Sequence, residues 1–269
     1  MTYTYDYQEL EKELALFRRA YPQIPVFAVG KSREGRNLYG IKLGRGGKRI
    51  FFNGAHHGME WLTSKLLMQF AFELAEGKHD ADTLLAGRCL YLLPMVNPDG
   101  VEIAKTGKRW QANACGVDLN HNYDALWHLS KQAEEDAGIF GPGPTRFSGA
   151  FPESEPESRA VADFTRQNAF DLALAFHSQG EVIYWDFCGF APDKSYTIAK
   201  QMEAVSPYRM ESVSGIASFG GYKDWFIRTF KRPAFTIEIG LGENPLPIED
   251  LVAVYPRTLP LMLEAIRQA

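Results

Sequence analysis

The spacing of apolar positions changes along the chain, and each change marks an element. From Tyr7 to Ala20, Leu10, Leu14, Phe17 and Ala20 recur at helical spacing with charges between them. That pattern predicts a helix ended by Pro22 and Pro25. Val26 to Gly30 and Leu38 to Leu43 read as two strands joined by a Ser-Arg-Glu-Gly-Arg-Asn turn. A third strand, Arg49 to Asn53, precedes an apolar helix over Trp61 to Glu76. Cys89 to Val96 is a near-continuous apolar run, as expected of a strand buried on both faces. Asn97-Pro98-Asp99-Gly100 closes it with turn residues. Gly138 to Ser154, rich in Gly and Pro, predicts a surface loop. Ser154 and Glu157 form a capping-box pattern before a helix over Ser158 to Gln167. Leu172 to His177 and Ala234 to Ile239 are further buried strands, and Leu251 to Gln268 is a closing helix. Strands alternating with helices define an α/β domain with a largely parallel or mixed sheet.

Composition narrows the class. The chain of 269 residues shows no internal repeat, low-complexity tract or linker, so a single domain over 1–269 is expected. Hydrophobic residues at 45% and charged residues at 23% exclude disorder and coiled coil. A net charge of −4 with no basic stripe argues against nucleic acid as a partner. Three scattered cysteines are too few for a disulfide framework and fit a reducing compartment. The polar, aromatic start lacks the features of a secretory signal. No apolar run approaches the ~18 residues of a membrane span. The expectation is a cytoplasmic protein with no membrane association and no obligate protein partner.

Three places carry chemistry. His57-Gly58-Met59-Glu60 follows a strand directly, so an imidazole and a carboxylate three residues apart can reach one ion. By itself this pattern recurs by chance in many proteins. His177 ends a strand, where open α/β sheets place ligands; a lone histidine there is more often satisfied by the backbone. Glu238 interrupts the apolar strand Phe235 to Ile239, and a carboxylate so placed asks for a cation or a functional reason. Together they make a site in which His57, Glu60 and His177 hold one zinc ion. The open position takes a water whose pKa falls towards ~7, and Glu238 moves its proton to a leaving amine. The reaction class is amide hydrolysis.

His57-x-x-Glu60, Asn97-Pro98-Asp99-Gly100, Gly116-Val117-Asp118-Leu119-Asn120, His177-Ser178 and Glu238 stand in the order of the zinc metallocarboxypeptidase family, which the chain resembles from about Tyr7 to Ile266. The resemblance implies one α/β domain with a mixed, mostly parallel eight-stranded sheet flanked by helices. It assigns zinc to His57, Glu60 and His177 and acid–base work to Glu238. Family carboxypeptidases follow the Asn of Gly-Val-Asp-Leu-Asn with an Arg, and the pair grips the substrate's terminal carboxylate. Here Asn120 is kept, but His121 follows, and His does not replace a bidentate guanidinium. The Arg that stabilises the oxyanion in those enzymes is Gln111 here, with Arg109 close enough to substitute. The mobile Tyr that closes over substrate falls at Ile216, leaving Tyr222 as its replacement.

Three stretches are similar to the γ-D-glutamyl-L-diamino-acid endopeptidase branch: Trp110 to Asn120, Ala175 to Trp185, and Tyr222 to Ile227. The branch implies hydrolysis of the amide between D-Glu and a diamino acid, typically meso-diaminopimelate, in peptidoglycan stem peptides. Gln179 and Glu181 then either read the diamino acid or pin a loop. Trp185, Tyr184 and Phe187 either line the pocket or fill core. His56, His79 and His128 read as structural or solvated, and Cys115 as inert. An ordinary zinc carboxypeptidase on L-peptides and a non-catalytic muropeptide-binding module are the alternatives.

Overall fold

The computed structural model describes residues 4–212 and 219–269. Helix α1 (Tyr7–Ala20) starts where the Asp6 carboxylate accepts from the Glu9 amide at 3.0 Å, and it buries Leu10, Leu14 and Phe17. The strands β1 (Val26–Lys31) and β2 (Asn37–Gly44) form an antiparallel hairpin. Then come β3 (Lys48–Gly54), α2 (Trp61–Ala75), the short α3 (Ala81–Leu84) and β4 (Arg88–Leu93). The turn expected after β4 opens a helix, α4 (Pro98–Ala104), with Asn97 as cap and Pro98 in its first turn. Next are α5 (Trp127–Asp136), α6 (Pro156–Asn168), β5 (Leu172–His177), β6 (Val182–Tyr184), α7 (Asp193–Val205) and β7 (Arg209–Glu211). The chain closes with α8 (Tyr222–Phe230), β8 (Ala234–Glu238) and α9 (Leu251–Gln268).

The capping box before α6 is not used as a cap. The helix begins at Pro156 with no side-chain cap bond. The Ser154 hydroxyl instead donates to Glu155 and accepts from Asn122, while the Glu157 carboxylate accepts from the Arg33 amide. Tertiary partners outcompete the local motif.

The eight strands form one sheet in the order β1-β2-β4-β3-β5-β8-β6-β7. The central run β4-β3-β5-β8 is parallel, and antiparallel pairings (β1-β2, β2-β4, β8-β6) flank it. The pleat sends alternate side chains to two cores. Ile50, Phe52, Leu172, Leu174, Phe176, Phe235 and Ile237 join the core packed against α1, α2, α7 and α9. Phe51, Ala173, Ala175 and Ala234 face the other, where Tyr222, Trp225 and Phe226 of α8 and Val161 of α6 pack. On that face β5 presents Ala173 and Ala175 before it ends at His177, which makes room for the rings. Phe51 stacks on Phe170 with centroids 4.8 Å apart and meets Tyr222 edge-on.

Among the described residues no helix is long and apolar enough to cross a membrane. Cys89, Cys115 and Cys188 are all free thiols.

Because Phe51 is fully buried between α6, α8 and the sheet, Phe51→Ala is expected to cost about 3–5 kcal/mol of stability. Chemical denaturation would show it as a lower midpoint with an unchanged slope.

Candidate metal centre and substrate cleft

The three parallel strands β3, β5 and β8 end side by side, and the chemistry sits on their carboxyl ends, where open α/β sheets bind ligands. His57 and Glu60 lie in the turn between β3 and α2, His177 is the last residue of β5, and Glu238 is its register partner at the end of β8. One ligand atom from each of His57, Glu60 and His177 falls within 4.8 Å of the others. His57 Nδ1 is 2.8 Å from Glu60 Oε1, and His177 Nδ1 is 3.0 Å from Glu60 Oε2.

The turn carrying His57 is held from below. The Asn97 amide donates to the carbonyls of His56, Gln111 and Ala112, and its oxygen accepts from the Gly100 amide. Gly58 lies so close to the Gly100 and Trp110 carbonyls that a Cβ there would clash with backbone. From outside, Asp118 Oδ1 lies 3.2 Å from His57 Nε2, while its Oδ2 accepts from the Arg146 amide at 2.9 Å. A ligand histidine whose second nitrogen is held by a carboxylate is the usual arrangement around zinc.

Electrostatics fit a cation. Burial disfavours a charged His57, yet Glu60 and Asp118 outweigh it and hold its pKa well above the ordinary value. Burial likewise opposes ionisation of Glu60, but His57 and His177 hold it down to about 2. Two carboxylates thus flank His57 and favour a positive charge there. Two imidazoles and a carboxylate with space beside them are the donor set of a catalytic zinc. Glu238 stays partly open to the cleft, while the protein around it removes most of its solvent. That desolvation and the Glu60 charge push its pKa up to about 8, with His57 opposing.

A cleft of about 870 Å³ opens over these groups. Of the residues expected from sequence, Arg109, Gln111, Asn120, His121 and Gln179 line it. Arg109 is an exposed rim residue 3.9 Å from Glu243. The Gln111 carbonyl oxygen accepts from the Thr145 hydroxyl. His121 is nearly buried, and burial drives its pKa down against the pull of Asp118. The Asn120 side-chain oxygen accepts from the Tyr222 amide at 3.0 Å.

Two expected substrate residues are not in the cleft. Tyr222 is fully buried beneath it, with its hydroxyl 3.1 Å from Thr165, so it cannot swing over a substrate. Glu181 turns away to form a two-bond ion pair with Arg257 of α9 at 2.6 and 2.7 Å; it pins the loop after β5. Ile216 lies outside the described residues. His56 is structural as expected, 3.0 Å from the Tyr123 hydroxyl. His79 is not merely solvated but paired with Glu73 at 2.6 Å. Tyr184 lines the cleft, whereas Phe187 is core.

Sequence reasoning passed over Arg146, Lys223, Asp224 and Asn244, which all line the cleft. Lys223 is buried, donates to the Asp186 carbonyl at 2.6 Å and pairs with Asp224. A lysine and an aspartate inside an otherwise apolar stretch of α8 were the available signal. Asn244 brackets Ser178 and reaches Glu60 at 3.4 Å, so it steadies the ligand carboxylate.

The sequence matches the zinc carboxypeptidase family over residues 10–259, and the chain belongs to that family. It is 34% identical to γ-D-glutamyl-L-diamino acid endopeptidase 1 of Lysinibacillus sphaericus, across 96% of this chain and 71% of that protein. Its fold is similar to bovine thrombin-activatable fibrinolysis inhibitor (TM-score 0.80, 22% identity, 99% and 97% of the two chains). It is also similar to the murein-tripeptide amidase of Escherichia coli O157 (TM-score 0.57, 18% identity, 89% and 91%). The chain is accordingly a zinc-dependent peptidase.

Two measurements check the centre. Asp118→Asn should weaken zinc binding roughly 10–100-fold in competition with a chelator, because a carboxylate holding a ligand histidine contributes on that order. Glu238→Gln should stabilise the metal-free protein in a pH-dependent way. The carboxyl's pKa is raised on folding, so its contribution is intact below the unfolded value near 4.5 and is lost as pH rises to about 8. Melting temperatures of wild type and variant should therefore coincide near pH 4.5 and diverge steadily up to pH 8, the variant melting higher.

Proposed function

We propose that this peptidase hydrolyses the amide between the γ-carboxyl of D-Glu and a diamino acid, meso-diaminopimelate foremost, in peptidoglycan-derived peptides. The observation that carries the reading is the 34% identity, over nearly the whole chain, to an enzyme named for that bond. The cleft supports it. His121 occupies the position at which family carboxypeptidases grip a terminal carboxylate with Arg. One cation of the wall, Arg146, has no ion pair among the described residues, which suits a substrate carboxylate.

Zinc, when bound by His57, Glu60 and His177, supplies a Lewis acid and lowers the pKa of the attacking water. Glu238 accepts a proton from that water at its carboxylate and delivers it to the leaving nitrogen. The Gln111 carbonyl oxygen is held by Thr145, which leaves its amide NH₂ to donate to the developing oxyanion. Arg109 adds charge at the rim. Asn120, His121 and Gln179 contact the peptide around the scissile bond.

Mass spectrometry of one digest tests this. Zinc-loaded protein and L-Ala-γ-D-Glu-meso-diaminopimelate should release free diaminopimelate, and Glu238→Ala should not. An intact tripeptide alongside cleavage of an L-peptide with a free C-terminus would replace the reading with an ordinary carboxypeptidase. Binding of the tripeptide without cleavage of either would replace it with a muropeptide-binding module.

A further inference from the structure

Glu238 aside, every charged group of the cleft but one has a partner among the described residues. Glu60 is met by His57, His177 and Asn244, and Asp118 by His57 and two backbone amides. Lys223 is paired with Asp224, and Arg109 faces Glu243 at the rim. Arg146, half-buried on the cleft wall, has neither an ion pair nor a side-chain hydrogen bond among the described residues. Its placement is nevertheless specific. The backbone sits at φ +66°, unusual for a residue with a side chain. Its amide is tied to the Asp118 carboxylate that also holds His57. The positive charge is close enough to help keep His121 neutral. An unpaired guanidinium, fixed to the metal centre through one carboxylate and lying beside His121, has the chemistry to bind an anion supplied from outside.

We infer that Arg146 binds a carboxylate of the substrate, replacing from a different loop the guanidinium that position 121 lacks. This rests on the peptidase reading of the cleft. The ligand class is a carboxylate adjacent to the scissile amide. In a γ-D-glutamyl–diamino acid peptide it has two sources: the α-carboxylate left free by the γ-linkage, and the α-carboxylate of the diamino acid.

The test compares zinc-loaded wild type, Arg146→Gly and Arg146→Lys on four forms of the tripeptide. One form is unmodified, one is amidated at the glutamyl α-carboxyl, one at the diamino acid α-carboxyl, and one at every carboxyl. Glycine is used because it accepts φ +66° and keeps the amide bond to Asp118. Zinc stoichiometry and melting temperature should stay at wild-type values. On the unmodified peptide Arg146→Gly should lose about 10–100-fold in kcat/KM, mainly through KM, the usual size for a hydrogen bond to a charged group. Arg146→Lys should recover part of the loss, because charge returns without the bidentate fork. The gap between wild type and Arg146→Gly should close on the fully amidated peptide, and the singly amidated form that also closes it identifies the source. An undiminished gap on the fully amidated peptide overturns the assignment.

Failure of the proposed function is separable. If no γ-D-glutamyl peptide is cleaved, the same comparison on an ordinary L-peptide and its C-terminal amide decides the role of Arg146. Calorimetric titration with the unmodified tripeptide gives a readout free of turnover, with Kd raised about tenfold or more in Arg146→Gly. Equal affinities and equal rates across the variants would overturn the inference.

Discussion

The site depends on one carboxylate. Asp118 lies at a short 3₁₀ turn and is fully buried. One of its oxygens holds His57 Nε2 and the Asn120 amide, and the other holds the Arg146 amide. Burial would disfavour its charge, yet the His57 charge and the hydrogen bonds from His57 and the Arg146 amide hold its pKa below the usual carboxylate range. A buried anion persists only when it is compensated on every side. Its surroundings are therefore constrained: His57 must face it, the loop at Arg146 must curl over it, and the turn at Asn120 must begin beside it. A metal ligand, a cleft wall and a substrate-facing turn are fixed together, although they come from distant parts of the chain.

The second constraint is how the sheet divides its side chains. Large aliphatic and aromatic groups fill the face towards α1, α2, α7 and α9, while β5 offers alanines to the other. The rings of α8 can then settle against the sheet, and that brings Lys223 and Asp224 to the base of the cleft and Gly221 beside Asn120. Gly220 belongs to the same arrangement. Its positive φ and its contact with the His121 backbone leave no room for a side chain. Core packing and cleft chemistry are thus two sides of the same helix.

Much of this was legible in the chain. The 3.6-residue period located α1, α2 and α9, which bury one clear face, and continuous apolar runs located the central strands, which are buried on both, although β4 ends at Leu93, three residues before the expected Val96. His57, Glu60, His177 and Glu238 could be found because polar groups at the ends of apolar strands violate the local pattern. The short strands β6 and β7 and the helix α7 were missed, since three-residue strands carry no measurable alternation and α7 has a weak apolar face. Tyr222 was misjudged because adjacency to a motif does not say which way a side chain points; the first turn of α8 sends it into the core. Glu181 was ambiguous for the same reason, and its partner Arg257 lies 76 positions away. Arg146 sits in a Gly- and Pro-rich loop with no periodicity, and only the Asp118 hydrogen bond reveals its place.

Strand β8 enters the sheet late and fills the gap between β5 and β6. Among the described residues, strands β6 and β7 pair with the rest of the sheet through it alone. It is also the strand that ends in Glu238, whereas all three metal ligands lie at the ends of β3 and β5, on the other side of that seam. The base proposed for hydrolysis and the residues that would hold the ion are therefore carried by different strands, joined by the β5–β8 pairing.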